Sequence, residues 1–206
     1  MAKLYFKFGA MKCGKTRDLI KTWYNYNEKG MNVIIIKPGD DKKAGENIQS
    51  RAKEELKADY VVPKNINVYD LISKHLVYNN LDCVLLDEAQ FLTEDQVDEL
   101  ADVVDKFNIP VICYGLRADA FTHLFTGSKR LFEIADVLEE LKAICKCGDK
   151  ATHNLRFDRD SETLELIPIF SGPQIAIDGI DSEYDSVCRP CYRKLRREYG
   201  KKEEKK

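Results

Sequence analysis

Residues Gly9-Ala10-Met11-Lys12-Cys13-Gly14-Lys15-Thr16 fit G-x-x-x-x-G-K-[ST], and they follow the apolar and aromatic run Leu4-Tyr5-Phe6-Lys7-Phe8. No other feature of the chain constrains its fold as strongly. A loop that cradles phosphate needs a strand to deliver it and glycines that let successive backbone N–H groups face an anion. It also needs a helix whose positive N-terminal end stands behind them. Lys15 is then the cation that reaches the β- and γ-phosphates, and Thr16 offers its hydroxyl to Mg²⁺. A glycine-containing turn that matches by chance is the competing reading. The strand pattern before the loop and the helical pattern after it argue against that.

After the loop, residues 15 to about 28 have helical spacing, with Leu19, Ile20, Trp23 and Tyr24 for one face and Gly30 as a stop. Val33-Ile34-Ile35-Ile36 is a short continuous apolar run, typical of a strand buried on both faces of a parallel sheet. Residues 38–57 are polar and charged, and predict a loop running into a short helix, either a surface excursion or a cover over a nucleotide. Asp59-Tyr60-Val61-Val62 and Val68-Tyr69 are strand candidates, and residues 70–78 a short helix.

Cys83-Val84-Leu85-Leu86 predicts another buried strand, ending on Asp87 and Glu88. Thr93-Glu94-Asp95-Gln96 is a capping-box pattern, and Val97, Leu100, Ala101, Val104 and Phe107 then repeat with helical period, giving a helix over 93–106. Pro110-Val111-Ile112-Cys113-Tyr114 predicts a further strand stopped by Gly115. Buried strands alternating with helices make a doubly wound parallel α/β sheet, whose ligands gather beyond the carboxyl ends of the strands. Gly9 to Thr16, Asp87-Glu88 and Gly115-Leu116 would all be delivered there.

From Leu138 onward the pattern changes. Strands are expected over 139–144, 151–157 and 163–169, bracketed by cysteine pairs. This divides the chain into an α/β nucleotide-binding domain over 1–137, a small β-rich metal-binding domain over 138–199 and a basic tail over 200–206. A net charge of -2 leaves no electrostatic footprint of a nucleic-acid binder. The basic end is read as a solvated, partly disordered terminus. No leader-type apolar region and no membrane-length run is present, so a cytoplasmic protein with no membrane partner is expected.

In that compartment seven cysteines argue against a disulfide framework. Cys145-x-Cys147 and Cys188-x-x-Cys191 form two close pairs whose four thiolates suit tetrahedral Zn²⁺, and four sulfurs leave no open position for catalysis. Buried free thiols are the alternative. Cys83 and Cys113 lie in apolar strands and Cys13 in a crowded loop; His75, His123 and His153 show no pairing. An acidic residue ending a strand downstream of a phosphate loop holds Mg²⁺, which is the role expected of Asp87. Glu88 beside it can then take a proton from an acceptor hydroxyl or orient a water.

Together these motifs resemble the cellular-type (type II) thymidine kinases. The resemblance runs from the phosphate loop nearly to Arg193. It is carried by Gly9 to Thr16, Tyr24-Asn25-Tyr26-Asn27-Glu28-Lys29-Gly30, Asp87-Glu88-Ala89-Gln90-Phe91, Tyr114-Gly115-Leu116-Arg117-Ala118-Asp119, and the four cysteines with Tyr184-Asp185-Ser186-Val187.

The resemblance implies transfer of the γ-phosphate of ATP to the 5′-hydroxyl of thymidine or deoxyuridine, with Glu88 as general base. It also implies a homotetramer, and thymidine triphosphate as feedback inhibitor. Met11 and Leu116 would line the pocket for the base methyl, Phe91 and Phe125 would enclose it, and Tyr184 would pack near the base. A lasso over 174–184, including Ile177, would cover it. Three sites depart from the family pattern: Ala120 where a Phe is usual, the run Ile177-Asp178-Gly179-Ile180 in the lasso, and Asp41 with Lys43 where the family has Asp-x-Arg. A nucleic-acid-stimulated ATPase with a zinc module is the rival, because Asp87-Glu88-Ala89-Gln90 also suits a helicase-type box. The chain is short for two motor domains, and no arginine-finger motif is present. A zinc module that binds nucleic acid would leave the phosphate loop without a purpose.

Overall fold

A computed structural model describes residues 1–39, 47–49, 54–160, 163–174 and 182–203. The chain divides into two compact units. The first comprises Met1–Phe8, Gly14–Leu116 and Phe125–Glu140, and the second Gly9–Cys13, Arg117–Leu124 and Leu141–Lys206.

The elements of the first unit are β1 (Leu4–Gly9), α1 (Lys15–Asn27), β2 (Val33–Pro38), β3 (Asn47–Gln49), β4 (Glu55–Lys57), β5 (Tyr60–Val62), α2 (Val68–Tyr78), β6 (Cys83–Leu86), α3 (Glu94–Phe107), β7 (Val111–Leu116), α4 (Thr126–Ile134) and β8 (Val137–Leu141). Six of the strands form one sheet in the order β5-β2-β6-β7-β1-β8. β2 runs parallel to β5 and β6, and β6 parallel to β7, so the expected α/β class with a parallel sheet is what the chain forms. Ile34, Ile36, Val84 and Leu86 pack with Val68, Ile72, Val97, Leu100 and Val104 into its principal core. Burial on both faces explains why Val33–Ile36 of β2 and the whole of β6 are uninterrupted apolar runs.

Several local expectations need correction. Val68-Tyr69 is no strand but the start of α2. Asn67 caps that helix by accepting from the Asp70 N–H at 2.7 Å, and the Glu99 carboxylate accepts from the Val68 N–H. In the described part of 38–57, β3 and β4 pair antiparallel rather than forming a helix. Gly115 does not stop β7 but lies inside it; a methyl carbon there would come within 3.2 Å of the Gln90 nitrogen and the Phe6 ring. Residues 139–144 are two strands, and β8 belongs to the main sheet, which therefore extends past residue 137. α4 was not anticipated.

In the second unit β9 (Ala143–Ile144) and β10 (Lys150–Ala151) form a small hairpin. β11 (His153–Arg159) is the middle strand of an antiparallel sheet between β12 (Leu166–Ile169) and β13 (Ser182–Val187). α5 (Arg189–Glu203) follows, so the basic end is helical as far as Glu203. Ala143, Cys145, Leu155, Val187, Cys188 and Tyr192 make this unit's own core.

Candidate functional site

Gly14, at φ 87°, is the N-cap of α1, and Lys12 is also left-handed at φ 63°. Turns of this kind point consecutive N–H groups to one side and make an anion-binding concavity. Lys15 opens α1 and is buried. One residue on, the Thr16 hydroxyl donates to Asp87 Oδ2 at 3.4 Å. Asp87 directly follows β6, is 4% exposed, and its N–H donates to the Ile36 carbonyl at 3.1 Å. Thr16 and Asp87, predicted from separate motifs as magnesium ligands, thus meet, and their hydroxyl and carboxylate oxygens are the hard donors such an ion takes.

Glu88 adopts φ 51°, ψ 38°. This left-handed geometry is rare for a residue with a side chain, and it turns the chain from β6 into the single 3₁₀ turn Ala89–Phe91. Its Oε2 accepts from the Gln90 side-chain amide. Phe91 and Phe125 meet edge to face with ring centroids 5.7 Å apart. Phe125 and Leu116 are both buried, and the Leu116 carbonyl accepts from the Ser128 hydroxyl at 2.6 Å.

Within the second unit, the first half of the loop is held by residues that no motif announced. The Met11 N–H donates to Asn154 Oδ1 at 2.7 Å, while Asn154 Nδ2 donates to the Ala118 carbonyl at 2.7 Å. Lys12 Nζ pairs with Asp185 at 2.8 Å. Gly9 is obligatory, because a methyl carbon there would lie 2.6 Å from the Leu141 carbonyl oxygen and as close to the Cys13 sulfur. Gly9, Ala10, Arg117, Asp119, Thr152 and Asn154 contribute to the wall of a cavity of about 260 Å³. At the Ala120 departure the backbone carbonyl accepts from the Tyr192 hydroxyl at 2.8 Å, and Phe121 is half-buried. Tyr184 is buried on β13 opposite Arg156. Ile177, with the rest of the lasso run Asp178-Gly179-Ile180, lies outside the described residues, as do Asp41 and Lys43.

Cys145, Cys147, Cys188 and Cys191 place their four sulfurs within 4.8 Å of one another, with Cys147 and Cys188 at 3.5 Å. A tetrahedral ion with metal–sulfur bonds near 2.3 Å separates its sulfurs by about 3.8 Å, so the set fits such an ion. The first pair sits on a turn in which Gly148, at φ 95°, donates to the Cys145 carbonyl at 2.9 Å. In the second pair Cys188 directly precedes α5 and Cys191 lies in its first turn. Burial works to raise the Cys145 thiol, but hydrogen bonds from the Cys147 and Cys188 backbone and thiols prevail and bring it down to about 7. Hydrogen bonds with the thiols of Cys188, Cys147 and Cys145 push Cys191 up to about 12. By contrast Cys83 and Cys113 are core thiols, raised by burial. His75 shares a hydrogen bond with the Tyr60 hydroxyl, and His123 is exposed.

A family model described as thymidine kinase matches residues 2–192. The chain belongs to the thymidine kinase family. Among curated family members, the thymidine kinase of Haemophilus influenzae is 45% identical over 194 residues, which is 94% of this chain and 97% of that protein. The Zymomonas mobilis thymidine kinase is 44% identical over 92% of this chain and 95% of its own length. The Francisella tularensis thymidine kinase is 41% identical over the same shares. Family membership therefore spans both compact units.

Proposed function

We propose that this chain is an ATP-dependent thymidine kinase that forms thymidine monophosphate in nucleotide salvage, with deoxyuridine as a further acceptor. One observation supports this above all: Glu88 follows directly on the buried Asp87 that meets Thr16, in a chain matched along nearly all its length by thymidine kinases. Lys15 and the N–H groups of the Gly9, Ala10, Lys12, Cys13 and Gly14 loop offset the triphosphate charge, while the Met11 N–H is held by Asn154. Thr16 and Asp87 are the residues to hold Mg²⁺, which when bound neutralises charge on the β- and γ-oxygens. Glu88 accepts the proton of the 5′-hydroxyl as its oxygen bonds the γ-phosphorus and the bond to the β-phosphate oxygen breaks.

By family resemblance, Met11, Phe91, Leu116, Phe125, Ile177 and Tyr184 contact the base. The four cysteines hold a structural Zn²⁺ with no open position. A cytoplasmic homotetramer inhibited by thymidine triphosphate completes the proposal. No helix among the described residues is long and apolar enough to cross a membrane.

The test is incubation with ATP, Mg²⁺ and labelled thymidine, in parallel with ATP and single-stranded nucleic acid. Labelled monophosphate is expected in the first. Hydrolysis stimulated by the polymer without any monophosphate would replace the kinase with the ATPase reading. Glu88→Gln is expected to lose turnover by orders of magnitude while ATP affinity stays nearly unchanged; normal turnover would remove Glu88 from its role.

A further inference from the structure

Gln90 is 2% exposed and stands two residues beyond Glu88. Its Oε1 accepts from the Leu116 N–H at 2.9 Å. A backbone N–H can only donate, so this bond dictates which way the amide faces and turns Nε2 toward the Glu88 carboxylate, where it donates to Oε2. Leu116 is itself secured, since its carbonyl accepts from the fully buried Ser128 hydroxyl. The result is a chain of directed bonds from α4 through the end of β7 and Gln90 to one oxygen of Glu88.

The surrounding backbone allows little play. A methyl carbon at Gly115 would lie 3.1 Å from Gln90 Oε1, and one at Gly127 would lie 3.2 Å from the Gln90 carbonyl oxygen. Glu88 itself is held in a backbone region that persists only where its surroundings enforce it. A side chain that merely filled this space could be apolar; both ends of this amide are instead engaged, and a buried polar group is costly unless it is.

We propose that Gln90 is the positioning residue for Glu88. It occupies one carboxylate oxygen, leaves the other for the substrate hydroxyl, and sets the base in register with Leu116 at the end of β7. This rests on the kinase reading above. The rival is a purely architectural role, in which Gln90 ties β7 to the 3₁₀ turn and Glu88 only happens to be near.

The full-length chain is compared with Gln90→Leu, which loses both bonds, and Gln90→Glu, which keeps an acceptor for Leu116 and loses the donor to Glu88. Each is expected to lower kcat about tenfold or more, as a misplaced catalytic group does, while the KM for ATP stays within about twofold of the parent. The deciding variant is the double substitution Glu88→Gln with Gln90→Leu. If Gln90 acts through Glu88, the double variant turns over no more slowly than Glu88→Gln alone. A double variant slowed by the full Gln90→Leu factor, or Gln90 variants at the parental rate, overturns the inference while leaving the kinase reading intact. A parent that makes no thymidine monophosphate overturns both. Should Gln90→Leu fail to fold, Gln90→Glu decides, alone and combined with Glu88→Gln.

Discussion

At Gly127 a single added methyl carbon would lie 2.5 Å from the Ala89 carbonyl oxygen and 2.9 Å from that of Leu92. Both obstacles are backbone, so no rotamer change relieves them. Gly127→Ala is expected to destabilise the chain by about 1–3 kcal/mol, the usual cost of overpacking, and a melting curve coincident with the parent's would refute the tight approach of α4 to the turn after Glu88. Individual residues differ in how openly the sequence displays such roles. Gly9, Lys15, Thr16 and Asp87 stand in motifs whose spacing is itself the signal. Asn154 is 143 positions from the Met11 it holds, and Gln90 bonds a residue 26 positions away. Contacts of that range leave no periodicity to read, so folding alone brings these partners into view.

Among the elements, α3 was the most legible, and its cap can be tested. Thr93 Oγ1 accepts from the Gln96 N–H at 3.1 Å, and Gln96 Oε1 accepts from the Thr93 N–H at 3.2 Å. Gln96 Nε2 then donates to the Pro63 and Ile66 carbonyls, tying down the loop before α2. Thr93→Ala is expected to cost about 1 kcal/mol, seen as a lower urea midpoint at unchanged slope; no shift would mean that the cap contributes nothing. α4 went unread because the residues it buries are Gly127, Ser128 and Leu131, and hydrophobic periodicity is blind to the first two. α5 was hidden by its lysines and arginines, although Tyr192, Leu195 and Tyr199 stand at helical spacing and are buried or half-buried. Val68-Tyr69 misled because its residue types favour strands, whereas Asn67 and Glu99 cap a helix there.

For the molecule as a whole, stability should depend on metal and on pH. The cysteine cluster joins the turn after β9 to the first turn of α5. Stripping the proposed zinc is therefore expected to lower the melting temperature, and an unchanged melt after verified removal would argue against a structural ion. His153 is shifted below its ordinary value of 6.5, first by burial and then by the charges of Arg117, Arg189 and Arg193. The unfolded chain therefore binds a proton there more readily than the folded one. The stability this contributes is complete above 6.5 and is lost as pH falls toward the folded value. Replacing His153 with Gln should flatten the acid side of the melting-temperature profile, and an unaltered slope would contradict it.

The strand order carries a consequence for synthesis. β1, made first, lies between β7 and β8, which are made more than a hundred residues later. While the ribosome is still building the first half of the protein, the strand that feeds the phosphate loop has no neighbour to zip against. Closing so long a loop is slow. The emerging chain would seat that strand only after β7, past the midpoint of translation, and a product aborted earlier would leave it without either neighbour.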